Sequence, residues 1–136
     1  MENTEHHLRI ERKHLRVKVD IHCMVGLPDS PLSEAQICDL SAGGLKFNCR
    51  RHTVDNILPE NTSTPIPLTG IALEIHFELQ QPDHAAHPVQ CEARVIHFER
   101  LAQDDFHVGL QFTSMDEATK KALHDYLESV AKNQDG

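Results

Sequence analysis

Two short clusters hold the residues with the most chemistry in them. Arg12 and Arg16 stand four apart in Arg12-Lys13-His14-Leu15-Arg16, with Arg9 just upstream. Asp39, Ser41 and Gly44 fall in Asp39-Leu40-Ser41-Ala42-Gly43-Gly44. A guanidinium fork grips phosphate or carboxylate oxygens two at a time and stacks flat on a planar ring. An ionised carboxylate accepts from N–H donors, and a hydroxyl donates or accepts as required. Glycine lets backbone and ligand approach closely and takes a positive φ without strain. Taken separately, each cluster has a plainer reading: a solvated basic face for the first, an ordinary hairpin connection for the second.

Charge narrows the ligand. The 136-residue chain carries a formal charge of −8, which disfavours non-specific binding to DNA, RNA or an acidic membrane. From Leu8 to Lys18, however, five basic residues face Glu11 alone. An acidic protein with one short basic segment suits a single small anion.

Other chemistry finds little support. The 11 histidines are scattered, with no zinc-ligand spacing, and His6-His7 is a weak metal signal. Cys23, Cys38, Cys49 and Cys91 never form Cys-x-x-Cys, and three of them fall at inward-facing strand positions, where a free thiol acts as a small hydrophobe. The Asp39–Gly43 stretch misses the Gly-x-Ser-x-Gly nucleophile elbow by one residue, and that elbow needs a strand-to-helix turn where here strand follows strand. No residue has a case for catalysis, so the expectation is a non-enzyme with neither cofactor nor metal. The polar N-terminus has no apolar signal segment, and no apolar run is long enough to span a bilayer. A cytoplasmic protein without direct membrane insertion is therefore expected.

The elements that must position these clusters follow from periodicity. Val17, Val19, Ile21, Cys23 and Val25 alternate with polar residues and predict a half-buried strand, closed by the turn-rich Gly26–Pro31. A short strand over Glu34–Cys38 and another with Leu45, Phe47 and Cys49 inward predict an antiparallel pair across the Ser/Gly connection. Residues 51–69 read as a long loop with a helical turn near Val54–Leu58. Ile71 to Leu79 gives the clearest alternation, and Gln80–Pro88 reads as a second loop. Val89, Cys91, Ala93 and Val95 then switch parity to Ile96 and Phe98, as one extra residue in a β-bulge requires. Phe106 to Phe112 forms a last strand. Ser114 and Glu117 have capping-box spacing before an amphipathic helix running to about Ala131. One helix is too narrow to cover six one-sided strands, so the strands must close on themselves.

In this order the two motifs, the strands and the ending Val108-Gly109-Leu110-Gln111-Phe112 plus helix resemble the PilZ domain family of cyclic di-GMP receptors. The resemblance implies a mainly β fold, a six-stranded antiparallel PilZ-type β-barrel with a C-terminal α-helix. The expected layout is a tail over 1–8, the domain over 9–131 and a frayed tail over 132–136. The resemblance also implies that cyclic di-GMP is the ligand, held by Arg12, Arg16, Asp39, Ser41 and Gly44, with Arg9, Lys13 and Gly43 as auxiliary contacts. Family members often carry arginine where this chain has Lys13, which brings charge but no planar fork. The segment from Arg9 to Arg16 is expected to clamp over the ligand and present a new surface to a downstream protein partner. The rival expectation is a module of the same fold that reads a protein partner, using Leu68, Ile71 or the 51–69 loop, with weak or no nucleotide binding.

Overall fold

The computed structural model describes residues 15–57, 69–81 and 84–135. Arg9, Arg12, Lys13, the 1–8 tail, Leu68 and most of the expected 51–69 loop lie outside them. Six strands follow the alternation: β1 Arg16–Gly26, β2 Ser33–Ser41, β3 Gly44–Cys49, β4 Ala72–Gln81, β5 His84–Ala102 and β6 Asp105–Ser114. Every neighbouring pair is antiparallel, and the order β1-β2-β3-β6-β5-β4 closes into a barrel. A helix α1, Arg51–Ile57, follows β3, and a longer helix α2, Glu117–Asp135, ends the fold.

Closure is what one-sided strands demand. Val17, Leu40, Leu45, Leu110 and Val95 form one row across β1, β2, β3, β6 and β5, and all are almost fully buried. Because successive side chains alternate faces, the residues on either side of this row point out from the barrel. The helix α2 lays Leu123 and Leu127 against the barrel, and its Thr119 hydroxyl lies 3.2 Å from His87 Nε2 on β5. Leu127 is 2 % exposed, so Leu127→Ala should remove roughly 2–5 kcal/mol of stability by leaving a cavity. Urea unfolding checks this, with a lower midpoint and an unchanged slope expected.

Several boundaries differ from the expectations. Val19 and Ile21 are only partly buried, in the stretch where the β1–β2 register slips between Lys18 and Ile21, although burial still alternates along β1. The polar Gln80–Pro88 loop is mostly strand: β4 runs to Gln81, β5 begins at His84, and Pro88 pairs with Glu78. The expected bulge is present, since Val95 faces Leu110 and His97 faces Gly109, leaving Ile96 as the extra residue. That residue points to solvent, 56 % exposed, instead of joining the core.

The expected Ser114 cap is displaced. Ser114 ends β6, and Asp116 Oδ1 accepts the Thr119 N–H at 2.7 Å, three residues on, as an N-cap does. The helix then continues past Ala131 to Asp135, through residues that include neither proline nor glycine. The short α1 gains its cap from elsewhere: Asp104, in the β5–β6 turn, accepts the Arg51 N–H at 2.8 Å and the Arg50 guanidinium at 2.9 Å.

Candidate functional site

The strand register decides which polar residues meet. Arg16 lies opposite Ser41, and Lys18 opposite Asp39, on adjacent strands β1 and β2. Asp39 in turn faces Lys46 on β3, and Lys46 faces Gly109 on β6. All of these positions have the parity opposite to the buried row, so they share the outer wall of the barrel. Arg16 was expected just ahead of the first strand; it is instead that strand's first residue, fixed by the β1–β2 ladder. Its Nη1 lies 3.7 Å from Asp39 Oδ1.

Asp39 has little freedom. Its side chain is 11 % exposed, and Oδ1 is sealed from solvent with no hydrogen-bond partner among the described residues. At 3.7 Å the guanidinium compensates the charge without completing a hydrogen bond. Arg16 itself is 58 % exposed, leaving much of its donor set turned outward. The carboxylate is therefore incompletely satisfied, a configuration that a ligand with N–H donors improves.

Ser41 and Gly44 build the corner. The Ser41 hydroxyl accepts the Gly44 N–H and lies 3.2 Å from the Gly44 carbonyl, to which it can donate, closing the β2–β3 connection on itself. Gly44 serves packing first. A Cβ there would sit 2.0 Å from the Leu110 carbonyl oxygen, so β3 and β6 approach closely only because it is absent. A positive φ is not the reason; among the described residues that conformation belongs to Asp29 and Gly70. Gly43 is different, with nothing within 4 Å of its absent Cβ. It lines a cleft of about 630 Å³ between the turn, the end of β6 and the first turns of α2.

So the structure brings Arg16, Asp39 and Ser41 together, with Gly43 and Gly44 at the same corner. Arg9, Arg12 and Lys13 lie outside the described residues. Lys18 and Lys46, which sequence reasoning left as ordinary outward residues, flank Asp39 on either side. Alternation was the signal that they face out; only the register puts them beside the carboxylate.

The thiols supply no second centre. Burial pushes Cys23 and Cys49 up to about 12, with the Cys49 charge adding to it at Cys23 and the Asp105 and Asp104 charges at Cys49, and pushes Cys91 up to about 11. Cys38 is also raised, mainly by burial, though the Lys46 charge pulls it back down. None is in a disulfide. In native protein at pH 8 a thiol reagent should react first at Cys38, the one cysteine that is not buried, and only after denaturation at all four. Counting released chromophore with and without denaturant measures this; fast native labelling of Cys23 or Cys49 contradicts the packing.

The PilZ domain family model matches residues 10–129, a span that contains both clusters. The chain belongs to the PilZ domain family. No curated protein matches it significantly. Among solved structures it is similar to the inhibitor of motility MotI/DgrA of Bacillus subtilis, with 16% identity and a TM-score of 0.65, covering 88% of this chain and 51% of that one. The PilZ domain of YcgR from Escherichia coli, solved with c-di-GMP, is 14% identical at a TM-score of 0.58, covering 88% and 90%. MrkH of K. pneumonia, in its apo state, is 15% identical at 0.61, covering 88% and 51%. The chain thus spans about half the length of MotI and MrkH but nearly all of the YcgR domain. At these identities the likeness is one of fold, and the PilZ barrel with its C-terminal helix is common ground. Among the described residues no helix is long and apolar enough to cross a membrane.

Proposed function

We propose that this PilZ domain is a receptor for cyclic di-GMP, which it holds on the outer barrel wall at the corner of β1, β2 and β3. The observation that carries the reading is the meeting of Arg16 and Asp39 at 3.7 Å, with Ser41 in the register position opposite Arg16. Family membership and the c-di-GMP-bound YcgR domain support the choice of ligand. In this reading Arg12 and Arg16 hold phosphate oxygens or guanine edges, with Arg9 and Lys13 as lesser phosphate contacts. Asp39 accepts from guanine N–H groups. Its sealed Oδ1 means that Arg16 must lift away, or the base must approach by Oδ2, as the ligand seats.

The segment from Arg9 to Arg16 then closes over the ligand and shifts the population toward a form that a partner protein reads. No step of bond making or breaking is assigned. Calorimetric titration with cyclic di-GMP tests the reading directly, since a receptor gives saturable heat with a defined stoichiometry. Amide exchange that stays the same in residues 9–16 at saturating ligand would rule out the closing segment while leaving binding intact.

A second reading, a protein-interaction module with weak nucleotide binding, draws on Ile96 and Leu101. These two residues of β5 are 56 % and 46 % exposed. Leu68 is outside the described residues, and Ile71 is partly buried against the core. Titration without heat or saturation favours this second reading.

A further inference from the structure

We propose that Lys46 is a further phosphate-binding cation of the cyclic di-GMP site, an inference that rests on the receptor reading above. Lys46 belongs to neither motif. It lies on β3, two residues past the Gly44 corner, and its Cα partner across the ladder is Asp39. Neighbouring strands run about 4.8 Å apart, so its stem starts beside the carboxylate that is assigned to the base.

Three features separate Lys46 from an ordinary solvated lysine. It is partly buried, its stem lying along the outer wall of the barrel. It makes no ion pair among the described residues; the charged contact of Asp39 is with Arg16 instead. Its partner on the other side, Gly109, has no side chain, so nothing from β6 stands between Lys46 and the next strand. Reading along this outer row gives Lys18, Asp39, Lys46, Gly109 and His97, in which two lysines bracket one carboxylate. Lys46 thus shares the outer row with Asp39, whose charge Arg16 already meets, and its own charge is left for an anion.

Chemistry assigns the contact within the ligand. An ammonium is a compact point charge with no planar fork, suited to a phosphate oxygen and poorly suited to reading a base edge. Lys46 therefore complements the arginines and tightens binding without choosing the base. This division predicts a particular pattern in salt.

The test is calorimetric titration of the full chain with cyclic di-GMP at two salt concentrations, using wild type, Lys46→Gln and Lys46→Arg, with melting temperatures measured alongside. Lys46→Gln should weaken binding about 10-fold. It should also flatten the salt dependence by about one ion, because one phosphate contact is gone. Lys46→Arg should recover most of the affinity, and all three proteins should melt together. Wild-type binding with an unchanged Lys46→Gln overturns this inference alone. So does a loss of affinity that tracks a fall in melting temperature, which would make Lys46 a structural neighbour of Asp39. Wild-type protein that fails to bind overturns the receptor reading and this inference with it.

Discussion

Replacing Arg16 by alanine should weaken cyclic di-GMP binding about 10- to 100-fold, the equivalent of one charge-assisted hydrogen bond, and Asp39→Ala should cost a similar factor. The double variant should show no measurable binding at micromolar ligand. The two effects are not expected to add, because the side chains lie 3.7 Å apart and share one environment. In the free protein Arg16 neutralises Asp39. Removing Arg16 thus takes away a ligand contact and also uncovers a carboxylate that repels phosphate. Removing Asp39 takes away the base contact but frees the guanidinium, so part of the loss is returned. All the variants should still fold, since neither change touches the hydrophobic core, but Arg16→Ala should be the less stable single variant because it leaves the largely buried Asp39 carboxylate without its cation. Calorimetry of the four proteins, each shown to be folded, settles the cycle. Asp39→Ala binding with wild-type affinity would remove the carboxylate from the site.

How much of this was legible beforehand depends on the range of the interaction that decides each feature. The strand around Ile75 and Phe77 was plain, because its alternation is local and both residues end fully or nearly buried. The β5 bulge was legible for the same reason, as a change of parity within one strand. The β1 bulge was not: Val17 to Val25 alternates without a break, and only the pairing with β2 shows the slip between Lys18 and Ile21. The cap of α2 went to Asp116 over Ser114 because β6 needed Ser114 to pair with Glu92. A local signal lost there to a long-range one.

The site divides in the same way. Arg16, Asp39, Ser41 and Gly44 were picked out by type and spacing, and the fold brings them to one corner. Lys46 carried no signal of its own, since a lysine among outward strand residues is ordinary. Its place beside Asp39 is a matter of register between β2 and β3, which the turn geometry and the buried Leu40–Leu45 pair fix together. Gly44 also has a packing role that its motif does not announce. Beside the room for a ligand that the motif implies, this glycine makes room for β6.

That packing role predicts opposite behaviour for two adjacent glycines. Gly44→Ala puts a methyl 2.0 Å from the Leu110 carbonyl oxygen and close to the Gln111 backbone, neither of which is a flexible side chain that can swing aside. The β3–β6 ladder must part locally, at a cost of roughly 2–4 kcal/mol. The melting temperature should fall by about 10 °C. Gly43→Ala meets nothing within 4 Å and needs no left-handed backbone, so its stability should stay within about 0.5 kcal/mol of wild type. Binding should divide the other way. At a temperature where both variants are folded, Gly43→Ala should lose affinity several-fold if cyclic di-GMP rests against the turn, because its methyl enters the space beside the cleft. Gly44→Ala should bind as well as its folded fraction allows, apart from whatever displacement the parted ladder passes to Ser41. Thermal melts and titrations on the two single variants make the comparison. A Gly44→Ala protein that melts like wild type but cannot bind would return the motif's glycine to the ligand, and with it the reading of this corner as a packing constraint would fail.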